Sequence, residues 1–278
     1  MAGLSITTAW NETVQYLKLH FGALFTIALA LIALPSVAMQ AFGPAASVAP
    51  GAAPEPGLWL LLLPVVLILN IAASLAMSSL ALGRHKTVGE AIAHGFRRFL
   101  PMLGAVLLLV AAMGLVFLPL VALSGLSPED FTAPTPAKGG RIALVTLLFL
   151  AVGLFFAVRL LVMTPVAAAE PVGPVAIIRR SWSLTGGHFW KLLGFVGLMM
   201  IVLVVVTMVI TMILGLLIAA IAGPPQPGTT GGFVLALVGA LINAAFVVVT
   251  TTIIARIYVQ LSGGASGGAS ADGTTTGI

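Results

Sequence analysis

An all-α, polytopic membrane protein is the fold class predicted by three observations. Of 278 residues, 60% are hydrophobic and only 7% charged, against about 25% charged in a soluble domain. Mean hydropathy is +1.20. Apolar runs of roughly 20 residues, each long enough to cross about 30 Å of hydrocarbon, recur along the chain. No soluble surface can be built from so few charges. The formal charge of +5 therefore reads as orientation and lipid attraction, with no nucleic-acid partner expected. Cysteine is absent, which excludes disulfides, thiolate metal sites and cysteine nucleophiles.

Residues 1–20 are expected to form an interfacial helix, followed by a six-span membrane domain over 21–260. The predicted spans are 21–42, 58–82, 99–123, 142–165, 191–222 and 233–260. The fifth is longer than a perpendicular crossing needs and must tilt or begin outside the hydrocarbon. Prolines 35, 64, 101, 119 and 165 fall in or at the ends of spans, where neighbouring helices absorb such breaks. Ser262–Ile278 is Gly-, Ser-, Ala- and Thr-rich, and 261–278 reads as a flexible tail. Ser36-Val37-Ala38 follows an apolar run, but the stretch before that run is long and holds one lysine, Lys18. Signal cleavage is not expected there.

The connections alternate in charge. Lys18, Arg84, Lys86, Arg97, Arg98, Arg179, Arg180 and Lys191 fall on one side, and only Lys138 and Arg141 on the other. This bias predicts that both termini are cytoplasmic. The charged connection on the sparse side also holds Glu129 and Asp130, and the first of its loops holds Glu55.

Three segments echo one another ahead of odd-numbered spans: SITTAWNETVQYLKLHFGAL from Ser5, TVGEAIAHGFRRFLPMLGAV from Thr87, and PVAIIRRSWSLTGGHFWKLL from Pro174. Their early alanines, Ala9, Ala91 and Ala176, lie 82 and 85 residues apart. Self-similarity at a fixed period implies a repeated unit. The unit would be a short interfacial amphipathic helix followed by a transmembrane hairpin, used three times. Thr87 with Glu90 reads as a capping box, Pro174 suits a first helical turn, and Gly186-Gly187 suit a helix end. On the third helix Arg179, Arg180 and Ser183 share one side, while Val175, Ile178 and Trp182 take the other.

The stretch RLLVMTPVAAAEPVGPVAIIRRSW, continued by SLTGGHFW, resembles the glycerophosphoryl diester phosphodiesterase membrane domain family. It matches that family's pattern of Arg-Leu, Pro, Glu, Ala and Arg-Ser-Trp, and the six-span layout extends the resemblance over most of residues 5–260. The resemblance implies a bacterial inner-membrane protein of undefined role. Phosphodiesterases of that name carry such a domain beside a catalytic barrel. These 278 residues hold no barrel, so that activity is not expected.

Candidate site residues follow from residue type and depth. Arg97, Arg98, Arg179 and Arg180, with Trp182, would contact lipid headgroups or an acidic partner through charge-assisted hydrogen bonds. Trp182, Trp190 and Phe189 suit interfacial anchoring. Arg159 lies inside the predicted fourth span, where charge is costly. It either snorkels or forms an ion pair with Glu170. Asn70, Thr146 and Asn243 stand 14, 13 and 13 residues before Arg84, Arg159 and Arg256. At that common depth they would line a shared polar interior or hold helices together. The histidines His20, His85, His94 and His188 lack metal-ligand spacing and read as solvated or headgroup-facing. No convergent acid, base and nucleophile is visible, so no catalytic, cofactor or metal site is expected.

The leading expectation is a non-enzymatic membrane protein whose partners are membrane lipids, anionic phospholipid among them, or a membrane-protein partner or second copy. The rival is a transporter or permease-like protein for a small or amphiphilic solute. A cavity reaching mid-membrane at Asn70 and Asn243 would favour transport.

Overall fold

The structure, a computed structural model, describes residues 4–42, 57, 59–85, 87–132, 135–226 and 229–269. Among these the regular structure is entirely helical. Lys86, Glu55 and residues 270–278 of the expected tail lie outside the described residues.

Helix α1 (Ile6–Ala28) begins where the Ser5 hydroxyl accepts the Thr8 N–H, satisfying one orphan donor of the first turn. It runs through a π-helical turn, Leu29–Ala33, into α2 (Leu34–Phe42). Pro35 has no N–H to offer the preceding turn, and the wider turn sits where that bond is lost. The separate helix expected over 1–20 is therefore absent. One rod, Ile6–Met39, combines it with the first span.

Helix α3 (Trp59–Ala81) tolerates Pro64 near its start. The chain turns at Gly83, whose φ of +69° suits glycine. Helix α4 (Val88–Arg97) is capped by Thr87, whose hydroxyl accepts the Glu90 N–H at 3.3 Å. After Arg98, α5 (Phe99–Ser124) runs to Gly125. A short α6 (Pro128–Thr132) precedes α7 (Gly139–Arg159). The chain breaks over Leu160–Val162, then resumes as α8 (Met163–Ala169) and α9 (Pro174–Thr185), with Pro174 in its first turn. A single 3-10 turn at Gly186–His188 leads into α10 (Phe189–Ala222). Helix α11 spans Thr230–Ala269. It carries the helix past the point where a flexible tail was expected, since propagating a helix costs less than starting one.

Six stretches are long and apolar enough to cross a membrane: Ile6–Met39, Trp59–Ala81, Phe99–Ser124, Gly139–Ala169, Pro174–Ile221 and Thr230–Gly263. This is the architecture of a multi-pass membrane protein. Within the fourth stretch Arg159 ends α7, just ahead of the break over Leu160–Val162.

Two apolar clusters form the core. One joins Leu75, Val158, Ile177, Leu192 and Ile253, and the other Leu24, Ile27, Met77, Ala240 and Ala244. Helix α4 crosses α3 so closely that a Cβ on Gly95 would come within 2.4 Å of the Ala72 carbonyl oxygen. On α9 the buried residues are Ile177, Ser181, Leu184 and Thr185. On the face read as apolar, Val175 is 67% exposed, while Ile178 packs partly buried against the first cluster. Packing on α5, α7 and α8 sets which of its residues are buried.

Candidate functional site

The polar contacts between distant elements gather at the end of the bundle where the basic connections lie. There the start of α1, the ends of α3 and α7, residues 256–260 of α11, and helices α8 and α9 meet. Glu170, at the end of α8, lies 3.2 Å from Arg180 Nε and pairs with it. The same carboxylate oxygen accepts a hydrogen bond from the Tyr258 hydroxyl at 2.9 Å. One acid thus clasps α9 and α11 together. Ser5 N–H donates to Gln260 Oε1 at 3.2 Å, and Lys191 Nζ to the Leu4 carbonyl at 3.4 Å. The Tyr16 hydroxyl donates to the Leu80 carbonyl at 2.7 Å.

The expected Arg159–Glu170 ion pair does not form, since Glu170 is engaged by Arg180. The break over Leu160–Val162 turns α8 so that Glu170 meets α9 instead. Arg159 has a different environment. Its backbone carbonyl accepts hydrogen bonds from Ser181 Oγ (3.1 Å) and Thr185 Oγ1 (2.9 Å). These satisfy a helix-terminal carbonyl that α7 leaves open. Its guanidinium carbon lies 5.2 Å from the Trp182 ring and 5.6 Å from the rings of both Phe155 and Phe189. Such distances suit cation–π attraction. Its Nε is buried and without a hydrogen-bond partner.

Arg256 is handled in a similar way within α11. Its guanidinium lies 4.8 Å from the Tyr16 ring, which stacks on His20. Its Nε is likewise buried without a partner.

The four arginines assigned to headgroup contact divide. Arg97 and Arg179 are exposed, and neither forms an ion pair among the described residues. Arg98 is half-buried at the α4–α5 break. Arg180 is committed to Glu170. Trp182 is 36% and Trp190 79% exposed at this same end.

His94 departs from the solvated role read for it. Its Nε2 lies 3.0 Å from the Ala168 carbonyl oxygen. A carbonyl only accepts, so Nε2 carries the proton. Burial pushes the His94 pKa below the ordinary histidine value. Nearby His85, Arg98 and Arg84 push the same way, and the Ala168 bond opposes them. The His85 ring lies 4.7 Å away. At the opposite end Lys138 Nζ reaches Asp130 at 2.8 Å. That hydrogen bond, with help from the Ser127 N–H, holds the Asp130 carboxyl below its usual range.

The intramembrane polar positions do not share an interior. Asn70 donates back to the Val66 carbonyl of its own helix at 2.9 Å, and no hydrogen bond links it to Asn243. Thr146 is exposed on α7. Asn243 is exposed and lines an open lateral groove of about 460 Å³ between α10 and α11, with Thr207, Thr211 and Gly239. Spacing in sequence set their depth but not the side of the helix they occupy.

Sequence reasoning missed Tyr258, Tyr16, Ser181 and Thr185. A signal for the first two existed: the chain has only two tyrosines, and both serve as polar handles at one end of the bundle.

Residues 21–261 match the family described as Domain of unknown function (DUF7847), and the chain belongs to that family. No curated protein and no solved structure matches it.

Proposed function

We propose that this member of the DUF7847 family is a non-enzymatic protein of the bacterial inner membrane. Its termini are cytoplasmic, and its basic end holds lipid headgroups or a membrane partner. One observation carries the reading. Arg97 and Arg179 project, exposed and without an ion pair among the described residues, from two short helices, with Trp182 exposed on the second and Trp190 exposed just beyond it. Guanidinium groups beside interfacial aromatics suit a surface of phosphates. The bias of eight basic residues to two supports the orientation. Direct packing of α5 on α7 and of α10 on α11 supports the three-hairpin plan, with α4 and α9 at headgroup level. The motif around Arg180-Ser181-Trp182 supports a kinship with the membrane part of the glycerophosphoryl diester phosphodiesterases, without their hydrolytic activity.

The test is native mass spectrometry of the full chain, wild type beside Arg97→Ala/Arg179→Ala. Retained anionic phospholipid should fall several-fold in the double variant, as expected for losing two charge-assisted contacts. Unchanged retention would return both arginines to orientation signals.

A second reading, a permease-like protein for a small or amphiphilic solute, is favoured by the groove holding Thr207, Thr211 and Asn243. The chain has no cysteine, so Asn243→Cys is a unique label site. Reaction with a membrane-impermeant maleimide would support a water-reached path. Protection would leave the groove facing lipid.

A further inference from the structure

The environment of Arg159 is unlike that of the exposed arginines. Twenty residues separate it from Gly139 at the other end of α7, about 30 Å at about 1.5 Å per residue. With α7 across the hydrocarbon, the guanidinium lies at the boundary where lipid phosphates begin. Aromatic rings stand around it at 5.2 to 5.6 Å. Two of them, Phe155 at 38% and Trp182 at 36% exposure, open to the outside of the bundle. Its Nε is buried and unpartnered, and the nearest acid in sequence, Glu170, is paired with Arg180.

A buried guanidinium Nε with no acceptor is costly unless a partner meets it. Aromatic faces supply part of that attraction but take up no N–H in a planar, bidentate hydrogen bond. A phosphate does, because its oxygens match the guanidinium fork. The wall beside Nη1 is open for a specific reason: residue 186 is glycine, and a Cβ there would come within 3.3 Å of Nη1.

We infer that Arg159, walled by Phe155, Trp182 and Phe189 and left open at Gly186, is a binding site for a phosphate group. The inference deepens the reading of the basic end as a lipid-contacting surface. It moves the specific site from the exposed arginines to a half-buried one. A phospholipid would seat its phosphodiester on the guanidinium and lay its chains along the exposed aromatic faces. A soluble phosphate would use the guanidinium alone.

The experiment is lipid binding by native mass spectrometry on the full chain in detergent. The probes are dioleoylphosphatidylglycerol, phosphate-free dioleoylglycerol, and inorganic phosphate as competitor. Wild type should hold one phosphatidylglycerol and discriminate against dioleoylglycerol. Arg159→Gln should weaken phosphatidylglycerol binding about tenfold, the scale of one lost charge-assisted pair. Gly186→Ala is the second arm. Gly186 has φ −54° and ψ −47°, so alanine adds no backbone strain there, yet it crowds Nη1 and should also weaken binding. Arg256→Gln removes the other guanidinium with an unpartnered Nε, which faces a single tyrosine ring, and should bind as wild type does.

Displacement by inorganic phosphate assigns the site to a soluble phosphate, and resistance to it assigns the site to the lipid. Wild-type affinity in both Arg159→Gln and Gly186→Ala overturns the inference. So does equal binding of dioleoylglycerol. A loss confined to Arg97→Ala/Arg179→Ala would overturn this site while keeping the wider reading. A loss confined to Arg159→Gln and Gly186→Ala would keep this site and return Arg97 and Arg179 to orientation signals.

Discussion

The basic end of the bundle and its far half are joined by the same long apolar helices, yet only one of them is locked. At the basic end Glu170 joins α8 to α9 and α11, Tyr16 ties α1 to α3, and Gly95 lets α4 sit on the α3 backbone. In the far half none of residues 196–221 of α10 is buried, nor any of 106–124 of α5. The difference has a physical origin. In hydrocarbon an aliphatic side chain gains little by leaving lipid for another aliphatic side chain, so small residues and polar groups decide where helices hold together. The sequence supplies those groups at one end and Leu, Val, Ile and Met at the other.

The largest expected effect tests that contrast with one methyl group. Gly95→Ala forces a Cβ against the Ala72 backbone oxygen, which cannot swing aside as a side chain could. Overpacking of this kind costs about 3 kcal/mol, and a thermal melt in detergent should show a clear drop. Gly215→Ala on α10 meets nothing within 4 Å. It should be neutral or stabilise by up to about 1 kcal/mol through helix propensity. Equal losses at the two sites would mean that the far half is packed as tightly as the basic end.

A smaller effect is expected at the clasp. Glu170→Ala leaves the Arg180 Nε and the Tyr258 hydroxyl without their shared acceptor. Orphaning such donors costs about 2 kcal/mol, again read as a lower melting temperature. Asp130→Ala, at the opposite end, breaks a contact within one connection and should shift the melt less. Reversal of that order would show that the connection, not the clasp, limits stability.

What was legible in the sequence was local or compositional. The six apolar rods follow from hydropathy. The Thr87 cap, Pro174 in the first turn of α9, and its end before Gly186 depend on neighbours within a few residues. Partners chosen by tertiary geometry were not legible. Glu170 stands eleven residues after Arg159 and ten before Arg180, a spacing that cannot decide between them. The break at Leu160–Val162 decides it, and Tyr258 joins only because α11 returns beside α8. The repeat argument also overreached at its first copy. It required a helix break near residue 20 like those at Arg98 and Gly186. Yet the lone Gly22 sits within an unbroken α1, because a single glycine weakens a helix without stopping it.

The smallest effect expected concerns pH, and it sharpens how the basic end is held. His94 joins α4 to α8 through its Nε2–H and the Ala168 carbonyl. Burial depresses its pKa in the fold, with His85, Arg98 and Arg84 adding to the shift. The unfolded chain therefore takes up the proton at a higher pH than the folded chain does. Stability from this residue is fully present above the ordinary histidine value. It is lost as pH falls from there through the lowered folded value. Asp130 is also depressed, but its share persists until pH falls below the ordinary carboxylate range. Melts of the wild type should thus weaken between about pH 7 and pH 5, where histidine is the side chain whose ordinary pKa falls. His94→Gln keeps a side-chain N–H donor for Ala168 but does not titrate, so its melts should lose less over the same interval. If His94→Gln weakens as steeply as the wild type, the acid sensitivity belongs to another histidine. The α4–α8 contact would then hold independently of charge.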